Sequence, residues 1–321
     1  MGVVSESFDY VIVGAGTAGC LLANRLSADP SVSVLLLEAG GRDDYLWIHI
    51  PVGYLYCIGN PRTDWMFNTE AEPGLGGRTI RYPRGRVLGG CSSINGMIYM
   101  RGQRGDYDGW AALGNPGWSW DEVLPWFLRH EDYHRLDGGG ADDLHGHGGE
   151  WRVESQRLSW KILESFREAA DEAGIPPTDD FNRGDNFGCG YFEVNQRRGV
   201  RWNASKAFLR PVEQRPNLRV VCQARVDRLL WDETDSGKVA GVECRIGEGS
   251  GVSKRFLCKA EVVMAAGAIG TVQILQRSGI GPGACGRRAG SAGVAGAALE
   301  RGTDAAAAPG RRRNGAGPAA A

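Results

Sequence analysis

The sequence has no apolar run approaching the ~20 residues that a membrane span requires. Its formal net charge is only −1, so nothing overall points to nucleic acid or an anionic membrane. It has no C-x-x-C pair. The eight cysteines (Cys20, Cys57, Cys91, Cys189, Cys222, Cys244, Cys258 and Cys285) are scattered. That argues against a zinc site or a disulfide framework and suits a reducing, cytoplasmic location. The start, Met1 to Phe8, is short and polar, with neither a basic n-region nor an apolar h-region, so no secretion signal is expected. Residues 283–321 lack aromatics, and Val294 and Leu299 are their only large apolar residues. Such a segment cannot bury enough surface to offset its ordering entropy and is expected to be disordered. The abrupt shift at Pro282-Gly283 suits a frameshift in a GC-rich gene, which out of frame gives Ala, Gly and Arg. A basic, flexible tail with its own role is the alternative.

What is present is more informative. The 321 residues exceed what one small domain needs and allow a large core. The stretch Asp9-Tyr10-Val11-Ile12-Val13-Gly14-Ala15-Gly16-Thr17-Ala18-Gly19 is an apolar strand running into G-x-G-x-x-G. Gly14 makes the tight turn out of the strand. Gly16 has no side chain, so a pyrophosphate can approach the backbone, and Gly19 lets the following helix pack close to the sheet. The helix N-terminus, at Thr17 and Ala18, offers free N–H groups and partial positive charge to phosphates. Glu38 closes a second strand, Val32 to Leu37, where a carboxylate accepts hydrogen bonds from a ribose. The expected fold class is α/β, opening with a β-α-β unit over residues 8–38 and carrying a dinucleotide site. A glycine-rich turn without a ligand would leave the acid at the end of the second strand unexplained.

Further along, residues 41–80 are rich in aromatics and glycine without a clean period, and read as long excursions over the nucleotide domain. Tyr82 to Gly96 is a second segment dense in glycine and serine, which implies close backbone approach. Arg78, Arg81, Arg84 and Arg86 form a basic cluster that could neutralise a pyrophosphate or simply be solvated. Ser119-Trp120-Asp121-Glu122 fits a capping box. Leu158 to Ala173 is amphipathic, with Leu158, Ile162, Phe166 and Ala169 or Ala170 on one face, stopped by Gly174 and Pro176. Residues 217–231 alternate like strands, 238–246 and 252–259 continue as a meander, and Val262 to Gly267 reads as a buried strand leading into a helix.

With these blocks in view, the chain resembles the glucose–methanol–choline family of flavin oxidoreductases, and most closely its choline-dehydrogenase-like and alcohol-dehydrogenase-like members. Three blocks carry the likeness: the fingerprint completed by Leu37-Glu38-Ala39-Gly40-Gly41; Gly85 to Tyr99, which looks like the family's first signature; and Gly267 to Gly281, which looks like its second. The resemblance implies FAD rather than NAD. It places the ADP half on Gly14, Gly16, Thr17, Ala18, Gly19, Glu38 and Ala39. It places the flavin end on Val87, Gly89, Gly90, Asn95, Gly96, Met97 and Ile98. It brings Val226 to the adenine by main chain, and Ala266-Gly267 close to the pyrophosphate. It implies a Rossmann-like FAD domain over residues 1–150 and 215–282, with a partial α+β substrate domain over 151–214 between them.

The departures are specific. Ile94 stands where some members have the histidine that attaches FAD covalently, so non-covalent FAD is expected. Cys91 and Val272 replace residues more usual in the two signatures. His145-Gly146-His147, with Asp142 and Asp143 nearby, invites a metal reading. The loop looks more like the family's H-G-x-G-G turn before the strand Trp151-Arg152-Val153, and no metal is expected. The ten tryptophans are read mostly as core. The resemblance implies oxidation of an alcohol by hydride transfer to flavin N5, with electrons passed to a quinone, another acceptor or oxygen. The family's base is a histidine well beyond the second signature. The five histidines here, His49, His130, His134, His145 and His147, do not occupy that motif, so no catalytic residue is assigned. Three readings follow: an FAD-dependent alcohol dehydrogenase with a truncated chain, a catalytically dead flavin-binding fragment, and an NAD-dependent Rossmann enzyme, which the two later signatures disfavour.

Overall fold

The computed structural model describes residues 6–281 apart from 136–137, 139–141, 236 and 248–250. The expected disordered tail, with Cys285, lies outside the described residues.

Strand β1 (Glu6–Val13) runs into helix α1 (Thr17–Leu26) and returns as β2 (Val34–Leu37). The second strand starts later than Val32 because the chain is still turning there: Val32 N donates to Asp29 O. Helices α2 (Arg104–Ala112) and α3 (Trp120–His130) follow. The capping box of α3 forms as read, Ser119 and Glu122 satisfying each other's free N–H groups. Next come β3 (Glu131–His134), β4 (Trp151–Ser155), α4 (Lys161–Glu172) and the short β5 (Glu193–Val194). The chain then gives β6 (Leu218–Val221), β7 (Ala224–Trp231), β8 (Val239–Ile246), β9 (Val252–Met264) and α5 (Gly267–Arg277). The stretches 252–259 and 262–267 are thus not separate: one strand runs through Val252–Met264, pairing with β8 over Val252–Leu257 and with β1 over Phe256–Met264.

The main sheet has six strands in the order β6-β2-β1-β9-β8-β7. β6, β2, β1 and β9 are parallel neighbours, and β8 and β7 continue as an antiparallel meander. Strand alternation splits the core. Ile12, Val34 and Leu36 face α1 and the Ser205–Leu209 turn, with Cys20, Ala23, Phe208 and Leu209. Val11, Val13, Leu35 and Leu37 face the opposite way, with Val226, Leu229, Val242, Phe256 and Ile274 of α5. Residues buried on both faces explain why β1 and β2 read as unbroken apolar runs. Each such side chain contributes roughly 1.5–3 kcal/mol by leaving water.

A second sheet pairs β3 parallel to β4 and β4 antiparallel to β5. The expected boundary at residue 150 falls inside this sheet. Beneath it lies a buried polar network: Arg101 pairs with Glu131 at 2.8 Å, His145 contacts Asp180 at 2.8 Å, and Tyr133 stacks on His145 and donates to Glu193. Helix α4 is shorter than the periodic stretch 158–173, and most of its apolar face is uncovered. Ile162 and Phe166 are 69% and 67% exposed, and Ala170 is its one buried residue. Among the described residues, no helix is long and apolar enough to cross a membrane.

Candidate functional site

A cleft of about 700 Å³ opens at the C-terminal ends of β1, β2 and β9, within the size range of ligand pockets. That is where an open parallel sheet binds its ligands. Separate parts of the chain build it, among them the turn Gly14–Ala18 with Glu38 and Ala39, the segment around Gly90 and Cys91, and Ala224–Val226 with the start of α5.

Its shape follows from glycines. Gly14 leaves β1 with φ +99°, and a Cβ there would stand 2.6 Å from Ala265 O. A Cβ on Gly19 would stand 1.9 Å from Gly14 O, so helix and turn can touch only through glycine. Gly90 has φ +55°, and its Cβ would lie 2.8 Å from Gly16 Cα. Gly16 is different: a Cβ there would meet no protein atom within 4 Å. The space beside it belongs to the cleft.

The electrostatics suit an anion. Neither α1 nor α5 has a side-chain cap, and residues of both first turns line the cleft. Two helix N-termini therefore present N–H groups and partial positive charge to one space. Glu38 sits at the edge, 5% exposed, its two carboxylate oxygens accepting from Ala15 N at 2.9 Å and Gly40 N at 2.8 Å. Burial pushes Glu38 up to about 7, against the pull of those two N–H groups. Each oxygen keeps a lone pair for a ligand hydroxyl.

Of the candidates named from sequence, Gly14, Gly16, Thr17, Ala18, Glu38, Ala39, Gly90, Val226, Ala266 and Gly267 line this cleft. Gly19 lies behind it, packed on Gly14. Val87, Gly89, Asn95, Gly96, Met97 and Ile98 do not line it. Val87 is buried with Ile48, Cys57 and Ile94, and Gly89 N donates to Ala15 O, tying the second glycine segment to the first. Asn95, Gly96 and Ile98 are exposed, and Met97 is buried with φ +65°. A left-handed methionine is strained, and such strain clusters at ligand clamps.

Sequence reasoning passed over Trp65, Phe67 and Ala224, which line the cleft together with Arg84. Arg84 was legible as part of the basic cluster; its guanidinium stacks 4.0 Å over Tyr82. Arg78 instead donates to Leu75 O on the surface, and Arg86 stacks on Trp65. None of the five histidines lines the cleft. The His145-Gly146-His147 run is split: His145 is buried between Glu131 and Asp180, while His147 turns outward toward Asp132. Asp132, His134 and His147 come within metal-ligand reach of one another, but Asp132 is already held by Arg152 and by Gly148 N.

Comparison with known proteins agrees with this architecture. The profile of the GMC oxidoreductase family matches residues 8–291. An oxygen-dependent choline dehydrogenase of Vibrio vulnificus is 40% identical over 87% of this chain and 48% of its own length. An alcohol dehydrogenase [acceptor] of Pseudomonas putida is 38% identical over 85% of this chain and 48% of its own. The chain thus spans about half the length of the curated relatives it matches. The crystal structure of pyridoxine 4-oxidase from Mesorbium loti superposes with a TM-score of 0.78 at 36% identity, covering 86% of this chain and 52% of that one.

Proposed function

The chain belongs to the GMC oxidoreductase family, whose cofactor is FAD, and from that premise we propose that it oxidises a primary alcohol of the choline, aliphatic or aromatic type. One observation carries the reading furthest: the open space beside Gly16, bounded by two uncapped helix N-termini and the Glu38 carboxylate. Those features fit a nucleotide's pyrophosphate and ribose, and nothing else in the described residues makes use of them.

The residues divide the work. Gly14, Gly16, Thr17 and Ala18 receive the pyrophosphate through backbone N–H groups, with Ala266 and Gly267 opposite. Glu38 and Ala39 hold the ribose, and Val226 meets the adenine along its backbone. Val87, Gly89, Gly90, Asn95, Gly96, Met97 and Ile98 support the ring end. FAD, when bound, supplies the acceptor for a hydride from the alcohol carbon. Ile94 is an apolar side chain buried at 3% exposure and offers no nucleophile, which favours non-covalent attachment. Electrons would pass to oxygen, a quinone or another acceptor; the names of the two curated relatives give oxygen for one and an unspecified acceptor for the other.

A second reading is a flavin-binding chain without turnover. It is favoured by the absence of any histidine from the cleft, since alcohol oxidation requires a base at the hydroxyl. The test is to load the purified chain with FAD, remove free cofactor, and add choline, benzyl alcohol or butanol without oxygen. Bleaching of the flavin absorbance supports an active oxidoreductase. A stable yellow protein that no alcohol bleaches supports the second reading, and a colourless protein sinks both.

A further inference from the structure

His134 and His147 converge on one carboxylate. Asp132 and His134 lie on β3, and His147 lies in the turn that precedes β4. Asp132 Oδ1 stands 2.9 Å from His134 Nε2 and 3.5 Å from His147 Nδ1, and the two imidazole rings are 4.6 Å apart at 50°. The three side chains each offer a ligand atom, all within 4.8 Å of one another. This is not the set that the His145-Gly146-His147 run suggests. His145 turns inward to Asp180, and a histidine from β3 takes its place beside His147.

Hydrogen bonding alone does not satisfy this cluster. Asp132 Oδ1 has two lone pairs. Gly148 N occupies one at 3.0 Å, and His134 Nε2 lies against the other at 2.9 Å. His147 Nδ1, at 3.5 Å, is left beyond the ~2.7–3.2 Å of a good N–H···O bond. A cation shared by the three groups satisfies them together. Bonds of about 2.0–2.2 Å to nitrogen and oxygen put neighbouring ligand atoms roughly 2.8–3.6 Å apart in tetrahedral or octahedral shells. Both measured separations, 2.9 and 3.5 Å, fall in that range. The His147 side chain is 54% exposed, so it has room to close on an ion.

The surroundings suit a ligand set. Asp132 Oδ2 accepts from Arg152 Nη1 at 2.8 Å, and Oδ1 accepts from Gly148 N. Carboxylates that bind metals are themselves held by such outer partners, which fix the oxygen that faces the ion. The contacts that hold Asp132 thus leave Oδ1 turned toward both imidazoles. Two imidazoles and one carboxylate suit zinc and its neighbours, whereas magnesium and calcium take oxygen. None of the three residues lines the cleft.

We propose that Asp132, His134 and His147 bind a divalent transition-metal ion of the zinc type, which clips the end of β3 to the turn before β4. Such a clip stabilises by closing the intervening loop. The site is distinct from the cleft, and the inference does not depend on the FAD reading.

The test uses the full chain, free of any affinity tag and stripped with a chelator. It is titrated calorimetrically with Zn2+ and, in separate runs, with Mg2+, and thermal midpoints are read in parallel. Zn2+ should bind and raise the midpoint by at least about 2 °C at saturation, and Mg2+ should do neither. His134→Gln and His147→Gln should each weaken Zn2+ binding at least about tenfold and remove most of the rise. His147 is exposed, so its variant keeps the test decisive even where His134→Gln folds poorly. Zn2+ bound with unchanged affinity by His147→Gln would place the ion elsewhere and overturn the proposal. So would a chain that binds no Zn2+, or one that Mg2+ stabilises equally.

Discussion

A Cβ on Gly19 would stand 1.9 Å from the carbonyl oxygen of Gly14. The two glycines are therefore required by the protein itself. Gly16, between them, faces open space, so its lack of a side chain serves only a ligand. Gly19→Ala should lower stability by about 3 kcal/mol or more, because backbone must move. Gly16→Ala should leave the thermal midpoint of the cofactor-free chain within ~1 °C, an effect of a few tenths of a kcal/mol, yet abolish retention of FAD through desalting. Equal losses of stability in both variants would contradict the assignment.

Gly90 approaches Gly16 from the second glycine segment, with φ +55° and no room for a Cβ. Gly90→Ala should separate the two segments and cost about 2–4 kcal/mol of unfolding free energy, read by urea denaturation.

The Arg101–Glu131 pair is almost wholly buried, and Glu131 also accepts from Gly146 N. Glu131→Gln leaves a buried guanidinium without its counter-charge and should destabilise by roughly 3–5 kcal/mol. Urea unfolding measures this directly, and a loss below ~1 kcal/mol would show the pair to be dispensable.

His145 gives a pH signature. Burial alone would push it down, but the hydrogen bond to Asp180 and the Glu131 carboxylate 3.3 Å from its Nδ1 outweigh that and raise it to about 9. A folded-state value above the unfolded one means stability is fully present below about pH 6.5 and is lost as pH rises through 9. Thermal midpoints should therefore fall between pH 6.5 and 9. The same series on His145→Gln should be flatter, by about 2 kcal/mol across the window. Parallel curves for the two proteins would refute this.

The uncovered face of α4 makes a different kind of prediction. Because Ile162 and Phe166 are exposed, Phe166→Glu should change the unfolding free energy by less than ~0.5 kcal/mol. It should also reduce concentration-dependent association in light scattering, since exposed apolar faces are sticky.

The β-α-β unit was legible because its signals are local. The two-sided apolar runs at Val11–Val13 and Val34–Leu37, the glycine spacing and the Ser119–Glu122 cap all act over a few residues. The amphipathic period of α4 was legible too, but periodicity says only that a face is apolar and not that anything covers it. The continuity of β9 is not legible in the sequence because Ala260 and Glu261 look like a break; the strand bulges there, and its pairing with β1 resumes at Glu261.

The sequence by itself determined the glycine turn, the acid that follows β2 and the family, because tight turns and close helix packing each demand particular residues at fixed short spacing. Only the tertiary structure decided which distant residues share the cleft, where His145 and His147 part company, and that His134 and His147 converge on Asp132. Those relationships are set by sheet order and by the burial of polar groups that must find partners, and neither leaves a trace in local spacing.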